Sequence, residues 1–363
     1  MIPQFEPLIK PEYAEAVATQ IRSGWIGPSN ATALFEESIC KVAGCKHCLL
    51  TTSGTTAIII ALAALKLKPS DTILFPAYTF VAGANAARFL NFSVKLVDVK
   101  RTTMSMDPAQ VDLDGVDCVM FVNHNGYVGE DVLAIKRMCA QVGIPMIEDS
   151  SQGLGIPGAG RIGDLGIFSF SVPKIVTTGQ GGCVVTDNSD LYEECRRIRD
   201  HGEDWRKTRI HNHLGVNFKF NDILAAFGLA QMNCLDELLE RRKLVFDYYR
   251  QHLKVVDHGL ASAWMVIYES SNPDLLIDVL RKEGVDAVRY YKPINHNPPY
   301  ADGLTYPEAE YIHRDFIYLP SSLTLQEENI EKICKTAKNI ERLEELKLQV
   351  LKENYIGLGV RVP

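Results

Sequence analysis

Short apolar runs alternate with longer segments of helical period between about residues 45 and 200. Apolar and β-branched runs predict strands, and the intervening period of about 3.6 residues predicts helices. The predicted strands are residues 48–51, 72–75, 94–99, 118–123, 144–148, 167–171 and 183–186. This alternation is typical of parallel βα units. We therefore predict an α/β protein with a large, mostly parallel sheet, buried on both faces, whose ligands bind beyond the carboxyl ends of the strands.

An apolar stripe runs along residues 221–253 and predicts one long helix, capped by Asn221 or Asp222. After it, a strand-like run at 264–268 and helical segments at 273–283 and from about 326 predict a smaller α+β region. We therefore predict two domains. Residues 1–240 form the large domain with the N-terminal segment, and residues 241–363 form the small C-terminal domain, bridged by the long helix from about residue 221.

Composition and charge narrow the function classes. The chain has 363 residues, of which 46% are hydrophobic, and its net charge of −7 gives no overall positive field for a nucleic-acid backbone. No apolar run is long enough to span a bilayer and no secretion signal opens the chain, so we expect a cytoplasmic protein that binds neither nucleic acid nor membrane. The nine scattered cysteines include one C-x-x-C pair, Cys45 and Cys48, without the second pair of a zinc site. We expect no metal.

The candidate chemistry centres on Lys174, which lies between a predicted strand and the glycine-rich loop 177–182. Its amine could reach a carbonyl on a cofactor, Asp149 could hold a pyridine nitrogen, and the helix that opens at 53–55 could bind phosphate. Each feature alone has a plainer interpretation as a surface lysine, a salt-bridge partner or a helix cap. All of them follow strands whose ends meet at one edge of the sheet, together with Phe80, Asn123 and Ser169. We therefore predict a single site for pyridoxal 5'-phosphate (PLP).

The same motifs, taken in order, resemble the DegT/DnrJ/StrS family of sugar aminotransferases. They are SGT at 53–55, PAYTF at 76–80, EDSSQ at 148–152, FSF at 168–170 with Lys174, TTGQGG at 177–182 and GVNF at 215–218. The resemblance extends to SGW at 23–25 and YLP at 318–320, and so covers nearly the whole chain. It implies the PLP-dependent transferase fold type I, PLP as cofactor and a homodimer with shared active sites. It also implies that the amino group of glutamate is moved onto a keto sugar carried on a nucleotide diphosphate.

The resemblance also implies a role for individual residues. Lys174 would be the Schiff-base lysine and proton carrier, Asp149 would bind the pyridinium, and Gln152 would lie beside the ring oxygen. Phe80 would stack on the ring. The phosphate ligands would be Gly54, Thr55 and Ser169, with Asn217 of the partner subunit, and the substrate-binding residues would be His296 and Tyr291. Independently of the resemblance, the charged run 203–209 is either a solvated loop or a diphosphate contact, the latter through a cation such as Arg206.

Some positions depart from the family pattern. Gln180 stands where many members have Glu, Ser171 where many have His, and Asn123 where His is frequent. These departures affect the expected substrate contacts more than the expected reaction. The TTGQGG loop looks closer to members that act on 4-keto-6-deoxy sugars, the perosamine-type synthases.

Two alternatives stay open. One is a PLP-dependent sugar-nucleotide dehydratase, although His replaces the lysine in the recognised 3-dehydratase branch. The other is an inactive regulatory member of the fold, against which the intact lysine, aspartate and phosphate motifs argue.

Overall fold

A seven-stranded sheet organises most of the chain. The computed structural model describes residues 1–202, 210–257 and 264–357. The strands are β1 His47–Thr51, β2 Thr72–Pro76, β3 Ser93–Val97, β4 Cys118–Val122, β5 Met146–Asp149, β6 Leu165–Ser169 and β7 Gly182–Thr186, in the spatial order β1-β7-β6-β5-β4-β2-β3. Strands β2 to β6 pair in parallel. β7 is antiparallel to both of its neighbours, β1 and β6, so it alone runs the opposite way. The predicted mostly parallel sheet is confirmed.

Helices and loops bury both faces of this sheet, as the apolar strands predict. Leu49 belongs to one buried core, whereas Cys48 and Leu50 on the same strand belong to another on the opposite face. The helices that precede, connect or directly follow the strands of this sheet are α1 Pro11–Arg22, α2 Asn30–Ala43, α3 Gly54–Ala64, α4 Ala82–Phe89, α5 Glu130–Val142 and α6 Ser189–Arg199. Because both faces are covered, a ligand can reach the sheet only at the ends of its strands.

The region predicted as one long helix contains two. Helix α7 spans Asp222–Met232 and α8 spans Leu235–His252, with a break at Asn233 and Cys234. The predicted cap is present, since the Asn221 side chain accepts a hydrogen bond from the N–H of Leu224 at 3.0 Å. The expectation of one continuous bridging helix is wrong, because the chain turns after Asn233 and starts a new helix.

A second, smaller sheet follows. It pairs β8 Val266–Glu269 antiparallel with β9 Phe316–Leu319, and it packs with α8, α9 Pro273–Lys282 and α11 Glu327–Gly357, while α10 Pro307–Asp315 leads into β9. Trp264, Met265 and Ile267 also join the core of the large sheet. The two sheets therefore share buried residues, and the domain boundary at residue 240 stays a prediction that falls inside α8. None of the helices in the described ranges is both long and apolar enough to cross a membrane.

Candidate active site

A cavity of about 300 Å³ opens at the edge of the sheet where β1, β2, β5 and β6 end and β7 begins. Residues from these ends form one side, and residues near β8 and the loop before α10 form the other. The predicted site residues that line it are Gly54, Thr55, Phe80, Asp149, Gln152, Ser169, Lys174 and Tyr291. The structure thus brings together side chains that are up to 237 residues apart, counted from 54 to 291.

The start of α3 forms the part of the cavity that is suited to an anion. Ser53 caps the helix by accepting the N–H of Thr56 at 3.1 Å, while the Thr56 hydroxyl accepts the N–H of Ser53 at 2.9 Å. The first amides of a helix have no intrahelical acceptor, so the N–H groups of Gly54 and Thr55 are available to a phosphate. A Cβ on Gly54 would lie 3.0 Å from the Ser169 Cβ. Glycine therefore keeps open the space between these amides and the Ser169 hydroxyl.

Lys174 and Asp149 face the same cavity and interact electrostatically. Burial lowers the pKa of the Lys174 amine from 10.5 to about 8, and the negative charge of Asp149 opposes this by raising it. The Asp149 carboxylate accepts the N–H of Ser151 at 2.9 Å, which fixes its direction. A lysine with this pKa has a neutral amine fraction near pH 7 that can act as a nucleophile or a base.

Aromatic and amide side chains surround these two groups. Phe80 is 58% exposed, and the centroid of its ring lies 6.1 Å from that of Tyr291. Gln152 accepts the N–H of Asn125 at 2.5 Å and donates to the Tyr291 hydroxyl at 3.4 Å. Burial raises the pKa of Tyr291 well above its usual value, so this hydroxyl stays protonated. The exposed ring of Phe80 is available to stack on a flat ligand.

Other predicted site residues do not line the cavity. Asn217 is exposed, and His296 pairs with Glu310 through Nε2 at 2.6 Å. Arg206 lies outside the described residues. The contacts of these three residues with phosphate or substrate stay predictions.

Asn123 follows a strand but does not line the cavity, so the prediction that it belongs to the site is wrong. Its side-chain amide is buried and donates to Glu148 at 2.6 Å and to Ser150 at 2.7 Å. Glu148 also accepts the N–H groups of Gly160, Ile162 and Gly163. Asn123 therefore helps to hold the turn after β5, which carries Asp149, instead of reaching a ligand.

Two aromatic residues line the cavity without having been identified from the sequence. They are Trp264, which is 4% exposed just before β8, and Tyr290, whose ring centroid lies 5.3 Å from that of Trp264. The Lys174 Nζ lies 4.1 Å from the centroid of the Trp264 ring. An aromatic at the start of a strand usually belongs to the core, so no signal in the sequence distinguishes Trp264 from an ordinary core residue.

These residues fit PLP. The amides and the open space at Gly54 suit the phosphate, the exposed Phe80 suits the ring, Asp149 suits the ring nitrogen, and the amine of Lys174 suits the aldehyde carbon.

Comparison with known proteins agrees with the geometry. The model of the DegT/DnrJ/EryC1/StrS aminotransferase family matches residues 7–338. A GDP-perosamine synthase of Caulobacter vibrioides is 29% identical over 325 residues, which cover 82% of this chain and 87% of that protein.

Solved structures share the fold. PseC of Helicobacter pylori, an aminotransferase of pseudoaminic acid biosynthesis, superposes with a TM-score of 0.87 over 93% of this chain and 98% of its own, at 24% identity. An Escherichia coli GDP-4-keto-6-deoxy-D-mannose-3-dehydratase, solved with bound hydrated PLP, superposes with a TM-score of 0.85 over 93% of this chain and 99% of its own, at 20% identity. The same fold therefore carries both amino transfer and dehydration.

Proposed function

We propose a specific reaction for this chain, which belongs to the DegT/DnrJ/EryC1/StrS aminotransferase family and is a PLP-dependent sugar aminotransferase. The reaction moves the amino group of glutamate onto a keto sugar carried on a nucleotide diphosphate, with a 4-keto-6-deoxy sugar as the substrate. The placement of Lys174 beside Asp149 in one cavity carries the proposal. The similarity to a GDP-perosamine synthase and the TTGQGG loop support the choice of sugar.

Each part of the cavity has a role in this reaction. Bound PLP supplies the electron sink that allows an amino group to move from one carbon to another. Asp149 would hold the ring nitrogen in its protonated form, and the amides of Gly54 and Thr55 would hold the phosphate. Lys174 would hold the cofactor, and its neutral amine would move the proton at the substrate Cα.

One side of the cavity has an aromatic lining. Trp264, Tyr290 and Tyr291 form this aromatic wall. Such a wall lowers the local dielectric constant and so strengthens the interactions between the charged groups of the cavity. Phe80 stands at the open side, where a sugar nucleotide can enter.

Lysine at position 174 favours amino transfer over dehydration. A group that takes a proton from the substrate Cα must be partly neutral near pH 7, and a lysine amine with a pKa of about 8 meets this requirement. The resemblance noted from the sequence implies His at this position in the 3-dehydratase branch.

A panel of keto sugar nucleotides tests the proposal. The full-length protein is mixed with PLP, glutamate and 4-keto-6-deoxy or 3-keto sugars carried on GDP, UDP or dTDP, and NMR locates the new amino group. We expect 2-oxoglutarate and a 4-amino sugar in equal amounts. Lys174→Ala should abolish both products, and Lys174→Arg, which keeps a charge but has no amine with a lowered pKa, should do the same.

Other products would overturn the proposal in distinguishable ways. A deoxygenated sugar without an amine would identify a dehydratase. A protein that cannot take up PLP would be an inactive member of the fold. An amino group at C3 would refute the sugar assignment while leaving amino transfer intact.

We also propose that the protein is a homodimer with shared active sites. Leu214 is 97% exposed and Ile210 is 57% exposed, which is costly for apolar side chains in water. Asn217, on the same segment, is exposed and does not line the cavity of its own chain. A partner subunit that covers this segment would bury the apolar side chains and receive Asn217 at its phosphate.

Mixing two inactive variants tests this arrangement. In a dimer of Lys174→Ala and Asn217→Ala subunits, one site loses both residues and the other keeps both. We expect the mixture, after subunit exchange, to regain activity that neither variant has alone. Light scattering should give twice the chain mass. An active Asn217→Ala variant, or no regain in a confirmed dimer, would refute shared sites.

A further inference from the structure

The Trp264 ring lies against the terminal amine of Lys174. The Lys174 Nζ lies 4.1 Å from the centroid of this ring, and a protonated amine at this distance is attracted by the negative face of an aromatic ring. We propose that Trp264 is the positioning residue that holds the Lys174 amine while this amine is free of the cofactor and carries a proton. The inference rests on the proposed function, in which the amine is released and recaptured in each half of the reaction.

The indole also fixes the backbone from which Lys174 extends. Its Nε1 donates a hydrogen bond to the carbonyl oxygen of Pro173 at 2.6 Å. The N–H of Lys174 in turn donates to the carbonyl of Ser171 at 3.0 Å. Because Pro173 has a fixed φ and its carbonyl is held, the peptide that precedes Lys174 has little freedom to rotate. One side chain therefore restrains both the base and the tip of the lysine.

Trp264 is itself held firmly. Its carbonyl oxygen accepts a hydrogen bond from Nη1 of Arg242, a residue of α8 that is only 2% exposed. Within the described ranges, the Nε and Nη2 of Arg242 have no hydrogen-bond partner, and its guanidinium lies 5.5 Å from the centroid of the Phe5 ring. Tyr290 packs edge-on against the indole at 84° between the ring planes. A hydrogen bond from a buried guanidinium and an aromatic contact thus fix the backbone and the ring of Trp264.

The arrangement explains how a released lysine stays in place. A free lysine side chain has many rotamers, and each has to be searched before the amine returns to the reacting atoms. The ring of Trp264 offers the amine one favoured position inside the cavity that also contains Asp149 and Gln152. The amine then returns from a short distance, which is the advantage of a positioned base over a mobile one.

Ring-current shifts in NMR spectra test the inference directly. The full-length protein without cofactor is labelled with [13Cε]lysine, and the Lys174 signal is assigned by its loss in Lys174→Arg. We expect its Hε resonance upfield of all other lysines, because it lies over an indole face. Trp264→Leu should return it to the range of the other lysines. Trp264→Phe, which keeps a ring but loses the donor to Pro173, should retain a smaller upfield shift.

Phe80→Leu is the matched control, since it removes an aromatic ring from the same cavity without touching the ring over Lys174. It should leave the shift unchanged. A Lys174 signal within the ordinary range, or one that Trp264→Leu does not move, would overturn the inference. Addition of PLP to the same samples tests the proposed function separately. Loss of the shifted signal as the visible absorbance of the covalent adduct appears supports it, whereas a shifted signal that PLP leaves unchanged refutes it.

Discussion

The reactivity of Lys174 should depend on pH in a way that an exposed lysine cannot match. Burial lowers the pKa of its amine from 10.5 to about 8, although Asp149 opposes the shift. At a pH of about 7.5, a pKa of about 8 leaves roughly a quarter of the amines neutral, whereas a pKa of 10.5 leaves about one in a thousand. Only the neutral amine attacks a carbonyl. The share of neutral amine alone therefore favours Lys174 over a solvated lysine by more than about a hundredfold at this pH, so Lys174 should be the lysine that captures PLP.

Stopped-flow mixing of the cofactor-free protein with PLP measures this dependence. The rate constant for appearance of the adduct absorbance should rise about tenfold per pH unit below a pH of about 8 and level off above it. Asp149→Asn removes the negative charge that raises the pKa of Lys174, so the midpoint should move to lower pH. Lys174→Arg controls for reaction at other lysines. A rate constant that still rises beyond a pH of about 10 would show that the amine is solvated, and would refute the reasoning.

Three further substitutions test the packing around the site and the binding of PLP. The buried Asp222 carboxylate accepts hydrogen bonds from the hydroxyl and the N–H of Thr32. Asp222→Ala should therefore lower the free energy of unfolding by about 3 kcal/mol in urea titrations, and Asp222→Asn should lower it by less. Gly182→Ala would place a Cβ 2.5 Å from the Gly54 nitrogen and should cost about 1–3 kcal/mol of stability, seen as a lower melting temperature. Phe80→Ala should weaken PLP binding about fivefold, because an aromatic pair contributes roughly 1 kcal/mol, with an unchanged melting temperature as the check on folding.

The apolar runs predict where strands lie but not which way they point. Every predicted strand of the large sheet is present within two residues of its predicted ends, because buried strands read as continuous apolar segments. The sequence of β7 does not show its reversed direction, because a strand carries no direction of its own. The signal lies in the connection from β6, since residues 170–181 contain no helix and an antiparallel strand needs no crossover helix.

The break between α7 and α8 shows a second limit. Asn233 keeps φ −64° and ψ −17°, which are helical values, and neither it nor Cys234 is a glycine or proline. The apolar stripe also continues across the break. Local composition therefore favours one helix, whereas in the structure α7 packs against α1 and α2 and α8 packs against α11.

The sequence predicts the part of the site that is formed by residues at the ends of strands. Lys174, Asp149 and Gly54 meet because strands of one sheet end at a common edge, and this follows from the alternating pattern alone. Trp264 reaches the same cavity from a segment 90 residues after Lys174, counted from 174 to 264, and no local pattern shows that contact. Asn123 shows the converse, since it follows a strand but turns into the protein.

The two sides of the cavity come from separate stretches of the chain. Residues 53–180 supply the lysine, the carboxylate and the phosphate region, whereas residues 264–291 supply the aromatic wall. Recombination beyond α8 would thus exchange the wall, and with it Trp264, while keeping Lys174 and Asp149 themselves. A chimaera that joins residues 1–252 to the C-terminal part of a relative would therefore need a tryptophan at the position of Trp264 for the Lys174 amine to stay in place.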